Sequence, residues 1–168
     1  MTRLMIKRVE AFRKQEGAAA HYFASSPDGS VPGACYVHLS DMTANSITEL
    51  EAVAYHEGLP GHHLQIAIAR ELKSVPAFCS QAGFGAYSEG WALYTELLAK
   101  EMGVTRIFGR LVSEMWRTVR LVVDTGIHAM GWYEQQAIDY FASNVSTPLP
   151  SIVSEVCRYT ILPGQATS

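Results

Sequence analysis

Three histidines and a glutamate fall within eight residues of Tyr55-His56-Glu57-Gly58-Leu59-Pro60-Gly61-His62-His63-Leu64-Gln65, the densest group of metal-type ligands in the sequence. Zinc hydrolysis on a helix ordinarily uses two His at i and i+4, with a Glu after the first His acting on the metal-activated water. Here position i+4 is Pro60. On a straight helix His62 lies about 9 Å and His63 about 10.5 Å along the axis from His56, so neither shares one ion with it. A metal site therefore needs a distorted helix. Pro60 removes a helical hydrogen bond and Gly61 tolerates unusual dihedrals, so the pair could bulge the helix. With two residues looped out the motif reads HE-xx-PG-H, and His56 and His62 become the ligand pair, with His62 preferred over His63. The competing reading is a Pro-Gly turn joining two separate helices whose histidines form a polar surface cluster.

A catalytic zinc takes three protein ligands and leaves the fourth position open. Glu89, in Tyr87-Ser88-Glu89-Gly90-Trp91-Ala92-Leu93-Tyr94-Thr95-Glu96, follows His62 by 27 residues. Its surroundings are apolar, where an unpaired carboxylate is costly and a coordinated one is reasonable. A solvated carboxylate near a helix start is the plainer alternative. Glu96 shares the helix face about 10 Å further on, which suits a carboxylate that supports a ligand or forms a salt bridge.

The elements that must hold these side chains are mostly helical. Ser46 followed by Glu49 is a capping-box signature, and apolar helical content then runs to about Leu72, interrupted at Pro60-Gly61. Further helices are predicted over about 86–102, 105–124, 131–143 and 151–160, punctuated by Gly103, Gly126 and the Ser146-Thr147-Pro148-Leu149-Pro150 break. Ahead of them, AHYFASSPDGSVPGACYVHLS carries two short aromatic or β-branched runs around a Pro/Asp/Gly/Ser loop, which reads as a β-hairpin or strand pair. Its second run should turn Cys35, Val37 and Leu39 to one face and Tyr36 and His38 to the other. The fold class expected is mainly α with a small N-terminal β-hairpin or sheet, in one domain spanning 1–168.

The bulk properties narrow the function. The chain has 168 residues, 48% hydrophobic and 17% charged, enough for one core and against disorder. With 13 Lys+Arg against 16 Asp+Glu and no basic block, the net charge of −3 gives no footprint for nucleic acid or an anionic membrane. No apolar run approaches a membrane span, and the N-terminus has no secretory apolar core. The compartment stays open between cytoplasm and periplasm. Cys35, Cys79 and Cys157 are too few and too scattered for a disulfide framework or a Cys-rich metal site.

Four motifs in order, HEGLPGHHLQ, SEGWALYTELL, RLVVDTGIHAMGW and RYTILPGQATS, resemble the bacterial DUF885 family over about Arg8 to Ser168. That family is grouped by similarity with the gluzincin zinc metallopeptidases. The resemblance implies a zincin-like core on a bulged helix and a following Glu-bearing helix, with Zn²⁺ as cofactor. It implies His56, His62 and Glu89 as ligands and Glu57 as general base, although the two extra residues leave His63 as a second candidate for the second His. Gluzincins tend to place a His or Tyr on the tetrahedral oxyanion, a role for which His128, after Gly126, is the candidate. Arg158 and Tyr159 are candidates for touching substrate, and Arg120 and Asp124, at i,i+4, for a structural ion pair. Peptide-bond hydrolysis is the activity implied, and the strand at 34–39 could pair with an extended peptide. The alternatives are a zinc amidohydrolase on a non-peptide amide, or an inactive helical scaffold or binding module that keeps the motif. Family members run to several hundred residues, so the chain is expected to be a C-terminal catalytic core. A missing N-terminal region would leave an apolar face that favours a homo-oligomer.

Overall fold

The computed structural model describes residues 3–14, 18, 20–39, 46–105 and 107–168. Three strands, β1 (Met5–Arg8), β2 (Ala20–Phe23) and β3 (Ala34–Val37), form a sheet of order β1-β3-β2. The α-helices among the described residues are α1 (Ile47–Glu57), α2 (His62–Glu71), α3 (Ala77–Gln81), α4 (Gly85–Glu101), α5 (Ile107–Met130), α6 (Glu134–Asn144) and α7 (Leu149–Ile161). The mainly helical class with a small N-terminal sheet holds.

The expected hairpin is present as β2 antiparallel to β3, with Ala20 opposite Val37 and Phe23 opposite Ala34. It gains a parallel partner, β1, with Met5 opposite Ala34. β1 has no alternating pattern to announce it, because a parallel pairing is made by distant segments. This makes β3 the central strand with both edges hydrogen-bonded, so it offers no free edge for an extended peptide. The expected facing also fails: His38 is buried while Leu39 is exposed, because β3 ends at Val37 and both residues lie beyond the pleat.

Ser46 caps α1 as expected, its Oγ accepting from the Glu49 N–H at 3.1 Å. The helix does not bulge at Pro60-Gly61. It stops at Glu57, turns through 58–61 with a cis Leu59–Pro60 bond, and restarts as α2 at His62. Gly61 permits this, since a Cβ there would lie 1.9 Å from the His56 carbonyl oxygen. The break is thus between two helices, but its histidines are buried rather than a surface cluster.

Helix α5 continues through Gly126, where a break was expected. A Cβ at Gly126 would lie 2.4 Å from the Trp132 ring, so the glycine makes room for the indole that folds back from beyond the helix end. The core proper lies among α5, α6 and α7, where Val119, Val123, Ala137, Phe141, Ile152, Val156 and Tyr159 bury one another. Trp116 packs its ring against Phe141 at 4.8 Å. The cysteines are free thiols, Cys35 buried and Cys79 and Cys157 exposed. Among the described residues no helix is long and apolar enough to cross a membrane.

Candidate metal centre

His56 sits in the last turn of α1 and His62 opens α2, so the sharp 58–61 turn carries the second imidazole back beside the first. Their ring centroids are 4.8 Å apart and nearly perpendicular. The turn is pinned from α4 by Trp91, whose indole N–H donates to the Pro60 carbonyl at 3.0 Å. Glu89, two residues before Trp91 on the same helix, supplies the carboxylate. One Glu89 carboxylate oxygen lies 3.6 Å from His56 Nε2 and the other 3.8 Å from His62 Nε2.

Each imidazole is oriented from behind. His56 Nδ1 lies 2.9 Å from Glu96 Oε1, and Glu96 also accepts from Ser113 Oγ at 3.1 Å. A carboxylate on Nδ1 keeps the proton there and leaves Nε2 facing the cluster, the arrangement that raises a ligand's basicity in metal sites. His62 Nδ1 lies 3.3 Å from Ser88 Oγ, again leaving Nε2 toward Glu89. His63 points the other way. It is buried against the sheet with Nδ1 2.8 Å from the Tyr22 hydroxyl, which removes it from the ligand set.

The donor set could hold a metal ion. One ligand atom from each of His56, His62 and Glu89 lies within 4.8 Å of the others. Tetrahedral zinc with ligands at 2.0–2.2 Å places them about 3.3–3.6 Å apart, a spacing the His56–Glu89 pair already has at 3.6 Å, so only the wider separations would have to contract. The cavity beside the cluster, about 530 Å³, is lined by carboxylates from Glu49, Glu57, Glu89, Glu96 and Glu155 against guanidinia from Arg117, Arg120 and Arg158. At the end that holds His56, Glu57, Glu89 and Glu96 face the single guanidinium of Arg117, and that local imbalance favours a further positive charge there.

Electrostatics separate the members. Burial pulls His56 down, but the neighbouring Glu89 and Glu96 outweigh it and hold the imidazole above its usual range. Burial, aided by the charge of His56, pushes His62 down to about 4. Burial would raise Glu89, but the neighbouring His56 imidazole and the Arg117 guanidinium hold it well below the carboxylate range. Burial pushes Glu57 up, against the opposing pull of His56, and its side chain lines the cavity.

One participant had no role in the sequence argument. Arg117 donates through Nη1 to Glu89 Oε2 and through Nη2 to His56 Nε2, both at 3.0 Å. Ser113, Arg117, Arg120 and Asp124 recur at i, i+4, i+7 and i+11 of α5, a polar stripe at helical spacing beside the buried Val119 and Val123, and that stripe was the available signal. The expected Arg120–Asp124 ion pair does not form. Asp124 instead accepts the Gly164 N–H on both oxygens at 3.1 Å, and Arg120 donates to the carbonyls of Gln165 and Ala166. Both residues thus clamp the C-terminal segment onto α5.

The remaining expected site residues divide. Arg158 lines the same cavity, paired with Glu155 through Nε at 3.0 Å and Nη2 at 2.6 Å. Tyr159 does not line it; it is fully buried, with its hydroxyl donating to Glu155 Oε2 at 2.7 Å. His128 lies on the exposed last turn of α5, its Nε2 2.9 Å from the Tyr159 carbonyl, and it does not line the cavity. The reason is that α5 runs through Gly126, which turns His128 toward α7 rather than projecting it from a helix end.

Comparison with known proteins agrees on architecture. A solved structure described as the "putative lipoprotein from Colwellia psychrerythraea" matches with a TM-score of 0.94 and 38% identity. The match covers 99% of this chain and 29% of that one, so this chain spans under a third of its relative's length. No functionally curated protein matches. The family model described as "Bacterial protein of unknown function (DUF885)" matches residues 1–168. Matched from its first residue to its last, the chain belongs to the DUF885 family.

Proposed function

We propose that His56, His62 and Glu89 bind zinc and that this chain is the catalytic part of a gluzincin-type hydrolase cleaving peptide bonds. The observation that carries the proposal is the convergence of three donors from α1, α2 and α4 within 4.8 Å, with Glu96 Oε1 2.9 Å from the rear nitrogen of His56. Bound there, zinc would supply Lewis acidity that brings the pKa of a water to about 7. Glu57 lies one residue after a ligand, lines the cavity and is held above the usual carboxylate range by burial. Those properties suit a base that takes a proton from water and returns it to the leaving amine. Arg117, within hydrogen-bond reach of Glu89 and His56, fits a donor to charge developing on the scissile carbonyl oxygen.

A second reading rests on that same arginine. A guanidinium already paired with Glu89 and His56 is also what a purely structural ion-pair cluster contains. Elemental analysis of the purified chain decides between the two, using wild type beside His56→Ala, His62→Ala, His63→Ala and Glu89→Ala. The zinc reading expects about one zinc per chain, lost in every variant except His63→Ala, together with zinc-dependent cleavage of a peptide library. Wild type that stays free of zinc after reconstitution would leave the structural cluster standing.

A further inference from the structure

At the α5–α7 end of the cavity, two guanidinia share one neutral oxygen. Arg158 Nη1 donates to Gln165 Oε1 at 2.5 Å, and Arg120 Nη2 reaches the same oxygen at 3.5 Å while donating to the Gln165 backbone carbonyl at 3.2 Å. All three residues line the cavity that also holds His56, Glu57 and Glu89. The two arginines are braced on one aromatic ring, with guanidinium carbons 5.9 Å and 5.1 Å from the Tyr159 centroid.

The charges are unequal. Arg117 is paired with Glu89 and Arg158 with Glu155. Arg120 is 5% exposed, and among the described residues its hydrogen bonds go only to carbonyl oxygens of Gln165 and Ala166. A buried guanidinium ordinarily meets a carboxylate, because neutral oxygens compensate its lost hydration poorly. The point where Arg120 and Arg158 converge is therefore filled by an amide oxygen where an anionic oxygen would bind better.

The geometry points to a substrate-carboxylate subsite made by Arg120, Arg158 and Gln165. This inference rests on the peptidase reading above and adds the substrate class: short peptides carrying a carboxylate close to the scissile bond. Arg117 and Arg120 are i,i+3 neighbours on α5, about 5–6 Å apart at their β-carbons. Arg117 touches two of the metal-type ligands, so a carboxylate held by Arg120 lies one or two residues beyond a carbonyl presented to that cluster, at about 3.3 Å per extended residue. Either a free C-terminus or an Asp/Glu side chain brings the same group.

The test uses the whole 168-residue chain with hippurate, an N-acyl amino acid bearing a free carboxylate, against hippuramide, its uncharged amide. Binding is followed by calorimetry with and without zinc, so a failure of zinc binding is recorded separately from a failure of the arginine subsite. At least tenfold tighter binding of hippurate is expected in both states. Gln165→Glu should abolish that preference by placing a carboxylate between the two arginines, and its melting temperature should hold or rise. Arg158→Gln should abolish it as well, which covers the case in which Arg120→Gln releases the C-terminal segment and unfolds. Equal binding of acid and amide, or an acid preference that survives Gln165→Glu, would overturn the subsite. Cleavage of matched peptides with a free C-terminus, an amidated C-terminus, or an amidated C-terminus beside Glu then shows which carboxylate is read. Turnover of all three at equal rates would also count against it.

Discussion

Helix α5 serves two regions built on opposite principles. Val119 and Val123 face α6 and α7 and disappear into an apolar core with Phe141, Ile152, Val156 and Tyr159. One turn away, Ser113, Arg117 and Arg120 face the cavity with His56, Glu89 and Glu96. In the apolar region stability follows buried area and is shared among many interchangeable contacts. In the polar region Glu96 is 2% exposed and His56 6%, so each group depends on a particular partner and the loss of one leaves another charge without compensation. The contrast separates a part of the molecule that holds the fold from a part that the fold must hold.

A substitution that costs the apolar region and spares the polar one tests whether the two are separable. Phe141→Ala, at a fully buried position, should lose about 3–5 kcal/mol in denaturant unfolding. Zinc bound per folded molecule should be unchanged. Parallel loss of zinc would show that the two regions are not separable.

Acid should act on the polar region first. His62, held at about 4 in the folded protein, stays neutral while the unfolded imidazole takes up a proton below about 6.5. Its contribution to stability is therefore present above pH 6.5 and lost as the pH falls toward 4. In chelator-treated protein, the stability lost between pH 7 and pH 4.5 should be smaller in His62→Gln than in wild type by roughly 2–3 kcal/mol. Equal pH slopes would mean that His62 titrates normally in the fold.

Weaker effects grade the supporting groups. Glu96→Gln keeps the shape but removes the charge behind His56 Nδ1, and zinc affinity by chelator competition should fall about 10–100-fold. Ser88→Ala removes a longer contact, 3.3 Å from His62 Nδ1, and should cost less than about tenfold. A larger loss from Ser88→Ala than from Glu96→Gln would reverse the assignment of His56 as the more strongly supported ligand.

Much of this was legible in one dimension, and the failures have definite causes. Helix α4, expected over about 86–102, is found at Gly85–Glu101, because its apolar spacing and its stop near Gly103 are local signals. The Ser46 cap is equally local. Strand β1 left no trace, since its four residues gain a structural role only by pairing with β3 some 29 positions away. Gly126 read as a helix end because the reason for a glycine there, the Trp132 ring, arrives from beyond the helix. Arg120 and Asp124 stood at pairing distance on α5, but residues 164–166 satisfied both first.

The candidate site divides along the same line. Residue type and spacing along the chain were enough to name the ligand candidates His56, His62 or His63, and Glu89, with Glu57 as the base, and Pro60-Gly61 forbids a straight helix between the histidines. Packing in three dimensions settled the rest: the helix breaks rather than bulges, His62 turns inward and His63 toward Tyr22, and Glu96 and Arg117 close around His56. The reason is geometric: spacing along a chain limits which groups can meet, whereas the direction of a buried side chain is set by whatever packs against it from distant parts of the sequence.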